Sequence, residues 1–122
     1  MKKLFILLFI ILLMVVSCKT MIDNALDELD NKPIPNLSEV QDGVYYGSEK
    51  GPFVSVEVEV KVKNREIADI KLLKHDNGKG ESAEIIIDKM IKENTSEVEL
   101  VSGATVSSMV IRGAVRNALN NF

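Results

Sequence analysis

The chain opens on an unbroken apolar run. Lys2 and Lys3 precede thirteen apolar residues, Leu4 to Val16, and Ser17 and Cys18 close the run. A charged start, an apolar middle and a small residue at the end are the layout of a secretory signal. As a helix, the run would span about 20 Å, against about 30 Å of bilayer hydrocarbon. The pattern therefore favours a signal over residues 1–17 rather than a spanning helix. After it, Ile22, Ala25, Leu26 and Leu29 recur at helical spacing, which predicts a short helix over 21–30. Lys32-Pro33-Ile34-Pro35-Asn36 stops that helix and favours an extended path. Residues 18–39 read as a tether, and the folded domain as 40–122.

Gly43-Val44-Tyr45-Tyr46-Gly47 reads as a first strand and Lys50-Gly51-Pro52 as a turn. Val54, Val56, Val58, Val60 and Val62 then alternate with Ser55, Glu57, Glu59, Lys61 and Lys63. This period of two puts five valines on one face of a strand and leaves the other face solvated. Asn64-Arg65 predicts a two-residue hairpin turn, although Gly is favoured at the second position. Ile67, Ile70, Leu72 and Leu73 belong to the returning strand. Lys74 to Gly80 is a polar loop. Ala83, Ile86, Ile87, Met90 and Ile91 form the stripe of a helix over 81–94. A short strand is expected over 97–101. A last helix is expected over 108–121, with Ile111, Ala114, Val115, Ala118 and Leu119 inward. A meander with one apolar face needs cover, and two amphipathic helices supply it. The predicted class is α+β, in the order β-β-β-α-β-α.

Composition narrows the function. Of 122 residues, 46% are hydrophobic and 27% charged, which is ordinary for a globular chain. Fifteen basic residues against 18 acidic ones, 5% aromatics and no Trp argue against nucleic-acid binding. Loss of Lys2 and Lys3 with a signal would make the remainder more acidic still. The single Cys excludes an internal disulfide, and with the single His it makes no zinc-ligand spacing. Val15-Val16-Ser17-Cys18 resembles a bacterial lipobox, with Val15 where Leu is commonest. That resemblance implies a lipid on the Cys18 sulfur and anchoring on the outer side of a membrane. Acylation would also remove a lone thiol from an oxidising compartment.

The segment with chemistry is Glu99-Leu100-Val101-Ser102-Gly103-Ala104-Thr105-Val106-Ser107-Ser108. Ser102, Thr105, Ser107 and Ser108 offer hydroxyls, and Gly103 permits a tight bend close to a ligand. A helix start offers free N–H groups and a positive dipole end. Together these suit a phosphate group; equally, they suit a plain strand–turn–helix connection with Ser107 or Ser108 as N-cap. His75, the only His, reads either as a titrating group near a ligand or as a solvated strand-end residue. Of Tyr45 and Tyr46, one faces inward.

Ser-Gly-Ala-Thr followed by Val-Ser-Ser resembles the signature of the FMN-binding domain family. Members include the C subunit of sodium-pumping NADH:quinone reductase, the G subunit of the Rnf complex and small flavinylated lipoproteins. The likeness covers about residues 40–121. Asp42-Gly43-Val44-Tyr45-Tyr46-Gly47 is similar to the family's opening strand, and Leu72-Leu73-Lys74-His75 to the end of its meander. Asn77-Gly78-Lys79-Gly80-Glu81-Ser82-Ala83-Glu84 resembles its glycine loop and helix start. The resemblance implies FMN, linked by a flavin transferase through its phosphate to Thr105. Ser102, Gly103 and Ala104 would shape the turn, and Ser107 and Ser108 would donate to the phosphate or cap the helix. Gly78 and Gly80 would lie beside the flavin. The transferase target pattern usually has Asp three residues before its Ser; here that residue is Glu99. The implied protein is a lipid-anchored electron carrier working between an unidentified donor and acceptor. The alternative is a lipoprotein interaction module of the same fold without flavin.

Overall fold

The computed structural model describes residues 1–76 and 80–120, the side chains of 80–83 excepted. Helix α1 covers Lys2–Asp30, and strands β1, β2 and β3 cover Gly43–Gly51, Val54–Lys63 and Glu66–Asp76. Helices α2 and α3 cover Gly80–Glu93 and Thr105–Leu119. The strands form one antiparallel sheet in the order β1-β2-β3. The class is α+β, as expected.

The five valines of β2 are at most 7% exposed, and three of them are fully buried. Each contributes on the order of 1.5–3 kcal/mol by leaving water. Asn64 and Arg65 both take positive φ, 52° and 62°, so the hairpin turn is of the primed kind despite Arg in place of Gly. In β3 the register slips twice. Lys61 pairs with Asp69 but Val62 with Ile67, leaving Ala68 over; Glu57 pairs with Lys74 but Val58 with Leu72, leaving Leu73 over. Each bulge reverses the in–out phase of the strand. The first lets Ile67 and Ile70, three apart, both enter the core. The second turns His75 inward, opposite Val56.

β1 runs four residues past Gly47, through the expected turn at Lys50-Gly51. Its glycines mark close packing instead. A Cβ on Gly47 would lie 2.1 Å from the Ala114 carbonyl oxygen, and one on Gly51 would lie 2.4 Å from Val110. Helix α3 thus lies directly on β1. The reversal falls on Pro52-Phe53, with Phe53 at φ 65°. The α3 stripe is as expected: Ile111, Ala114, Val115, Ala118 and Leu119 are fully buried. Helix α2 buries Ile86, Ile87 and Met90; the side chain of Ala83 lies outside the described residues.

Two further stretches depart from expectation. Residues 97–101 are not a strand; they run as irregular chain along α3. The reason is local anchoring. Glu97 accepts two hydrogen bonds from Arg116 and one from Ser96, while the Val101 amide donates to Ser108 Oγ. These bonds pull the segment to the helix and away from a sheet edge. Helix α1 is also one continuous element of 29 residues, not an apolar run followed by a separate short helix. It is long and apolar enough to cross a membrane, with a mean hydropathy of 2.7 in its most apolar stretch.

The stretch assigned to a tether packs on the domain at its far end. Leu29 and Val40 are buried, and Leu26 and Leu37 pack against the core. Arg112 pairs with Asp30, Lys32 with Glu49, and Asn120 donates to the Pro33 carbonyl. Arg116, only 3% exposed, also donates to the carbonyls of Leu29 and Asp30 at the end of α1. Its fork satisfies a carboxylate and two helix-end acceptors at once.

Arg116 and Glu97 tie stability to pH. The Arg116 hydrogen bond, aided by Ser96 and by the Arg116 and Arg112 charges, holds the Glu97 carboxyl below its ordinary pKa despite partial burial. The unfolded chain therefore binds this proton more readily than the folded one. The pair's stabilisation is complete above the ordinary glutamate value and is lost as pH falls through the lowered one. Glu97→Gln is expected to lower Tm at neutral pH and to flatten its fall under acid, as thermal melts across pH 3–7 would read.

Candidate functional site

The hydroxyl-rich segment is built by two nested bonds. The Ala104 amide donates to the Val101 carbonyl at 3.0 Å, closing a turn over 101–104. Gly103 occupies the third position at φ 81°, where a side chain would be strained. The Ser108 hydroxyl accepts from the Val101 amide at 3.1 Å. The turn is thereby fixed to the first coil of α3. Space over Gly103 is open, with nothing within 4 Å of an added Cβ.

Helix α3 starts at Thr105, three residues before the expected boundary, with Ala104 as N-cap. Neither Ser107 nor Ser108 is the cap, because both lie inside the helix. Ala104 has no side-chain acceptor, so the first-turn amides carry no side-chain cap. Such a helix start favours an anion by its N–H groups and dipole. Thr105 is exposed and Ser102 is exposed, whereas Ser107 and Ser108 are buried.

The expected site residues therefore divide by position. Gly103, Ala104, Thr105 and Ser107 line an open cleft of about 440 Å³. Ser102 forms the turn beside it. Ser108 lies underneath and positions the turn. His75 Nε2 is 3.4 Å from Ser107 Oγ, so the inward phase set by the Leu73 bulge brings His75 to the base of α3. Gly80 opens α2, while Gly78 lies outside the described residues. Tyr45 is half-buried, with its hydroxyl donating to the Gln41 carbonyl at 2.7 Å, and Tyr46 is exposed. Ser108→Ala would leave the Val101 amide without its acceptor. We expect a loss of about 1–3 kcal/mol, read as a Tm lower by roughly 4–8 °C per kcal/mol.

The opposite wall of the cleft went unrecognised in the sequence. It is the β1–β2 hairpin tip, Pro52, Phe53 and Val54. Phe53 is 82% exposed. Its signal was present as an aromatic after Gly-Pro and out of phase with the alternating valines.

The site combines an open bend at a helix start, an exposed hydroxyl and an apolar wall, within a small α+β domain. That arrangement is compatible with a phosphorylated cofactor carrying a ring system. The FMN-binding domain family matches residues 50–120, more than half of the chain, and the protein belongs to this family. No curated protein matches the chain. The residues present fit FMN: the open turn and helix start suit its phosphate, and the cleft continues to an aromatic side chain.

Proposed function

We propose that the protein is a membrane-anchored, extracytoplasmic electron carrier bearing FMN covalently on Thr105. The observation that carries this reading is the position of Thr105. Its hydroxyl belongs to the first residue of an uncapped helix, exposed at the cleft of an FMN-binding domain. A transferase can reach such a group, and the phosphate it delivers meets the helix start. Attachment joins the Thr105 oxygen to the FMN phosphorus and breaks the phosphoanhydride of FAD, releasing AMP and the hydroxyl proton. Bound FMN would supply the redox chemistry.

The chain's own groups have simpler tasks. Gly103 leaves room above the turn, and Ser108 holds the turn to α3. Ser107 lies within reach of both the cleft and His75. The anchoring half of the reading rests on the apolar part of α1 ending at Cys18 within a lipobox-like sequence. The cleft is open, which suits exchange with redox partners more than enclosure of a substrate. The test is co-expression with a flavin transferase, followed by absorption spectra before and after denaturation. Yellow colour that survives denaturation is expected. Colour lost on denaturation would replace the covalent bond by reversible binding.

A further inference from the structure

We propose that Phe53 is the stacking platform of this site, its phenyl ring lying against one face of the FMN isoalloxazine. The inference rests on the reading of 102–107 as the phosphate end of an FMN site.

Phe53 contributes little to the core. It is 82% exposed, while Val54 beside it is 7% exposed. It also sits at φ 65°, a region that disfavours side chains and that Gly would occupy freely. A large apolar ring is therefore held in solvent at a conformational cost. The backbone beside it is nonetheless constrained. Gly51, two residues earlier, packs closely on helices α3 and α1, since an added Cβ would lie 2.4 Å from Val110 and 3.1 Å from Leu29. Pro52 fixes its own φ. The tip is thus preorganised, which lowers the ordering cost of stacking.

The ring is also in the right place. Phe53 and Thr105 line the same cleft of about 440 Å³, within the usual range for small-molecule sites of roughly 300–1,000 Å³. Phe53 further borders a second recess of about 370 Å³ that includes Lys50, Ser55, Lys74 and Asp76. A ring system resting on Phe53 would meet polar groups beyond it. The other described aromatics are elsewhere: Tyr45 and Tyr46 pair with Val60 and Glu59 in the sheet, and Phe5 and Phe9 belong to α1.

The test compares wild type with Phe53→Gly, Phe53→Leu and Phe53→Trp as full-length flavinylated proteins. An indole stacked on a flavin quenches its fluorescence by electron transfer, whereas a stacked phenyl ring does not. The Trp variant should therefore fluoresce several-fold less than wild type, while the Gly and Leu variants keep wild-type intensity. Phe53→Gly should melt no lower than wild type, because it relieves the positive φ. With apo protein, titrated FMN should bind about five- to tenfold more weakly to the Gly and Leu variants. Wild-type fluorescence and FMN affinity in all three variants would overturn the assignment of Phe53 while leaving the FMN site standing. A wild type that takes up no flavin would overturn the site reading, and this assignment with it.

Discussion

Thr105→Ala is expected to give a folded protein that carries no covalent flavin. Thr105 is exposed at the first position of α3, so truncation there should change stability by no more than about 0.5 kcal/mol. Circular dichroism and Tm should match wild type. Flavin that survives denaturation should vanish completely, because no phosphodiester can form without the hydroxyl oxygen. Thr105→Ser keeps a hydroxyl at the same backbone position and should retain colour. Full colour in the Ala variant after denaturation would move the attachment elsewhere, and Ser102 in the adjacent turn would be the first residue to examine.

The second large effect is expected at Gly47. A Cβ there would lie 2.1 Å from the Ala114 carbonyl oxygen, 2.5 Å from the Ala118 amide nitrogen and 2.8 Å from the Ala118 Cβ. The first two are backbone atoms of a buried helix, so no side-chain rotation relieves the clash. Helix α3 would have to move off β1 as a unit, opening the core along Ala114, Val115 and Ala118. We expect Gly47→Ala to cost about 3 kcal/mol or more, at the upper end of overpacking effects. In a domain of this size that lowers Tm by roughly 12 °C or more. Helix α3 also carries Thr105, so flavin loading should fall as well. Chemical denaturation would separate the effects: reduced loading with unchanged stability would contradict the packing argument.

These two residues illustrate what a sequence can reveal. The five valines of β2 and the stripe of α3 were legible because their spacing alone gives the buried face. Thr105 stands out in the sequence because a short motif in the right order marks it. Gly47 was read correctly as strand, but Gly51 misled. Glycine near Lys and Pro reads as a turn, yet here it is a strand surface made smooth for a helix. Nothing local distinguishes the two cases, because the cause lies sixty residues away in α3. His75 was ambiguous for a related reason. Counting by twos from Ile70 and Leu72 sends it outward, and only the extra residue at Leu73 turns it toward Ser107. Residues 97–101 have strand-like composition, but the Arg116 fork and the Ser108 hydroxyl decide their path. Tertiary bonds outweighed propensity there.

The start of α3 carries the same lesson at the site itself. Hydroxyl residues are good N-caps, so Ser107 and Ser108 invited a helix beginning at 108. The helix starts earlier because the Gly103 turn closes at Ala104 and Ser108 braces it from within. The shift leaves Thr105 at the exposed helix start. The Phe53 wall was missed because a hairpin tip acquires meaning only from what it faces.

Mass analysis of the tryptic peptide spanning residues 93–112 is the sharpest check, on full-length protein produced with a flavin transferase. The expected result is one FMN joined through phosphate, with loss of water, and fragment ions that assign it to Thr105. Recovery of that peptide wholly unmodified, or with flavin on another residue, would contradict the account.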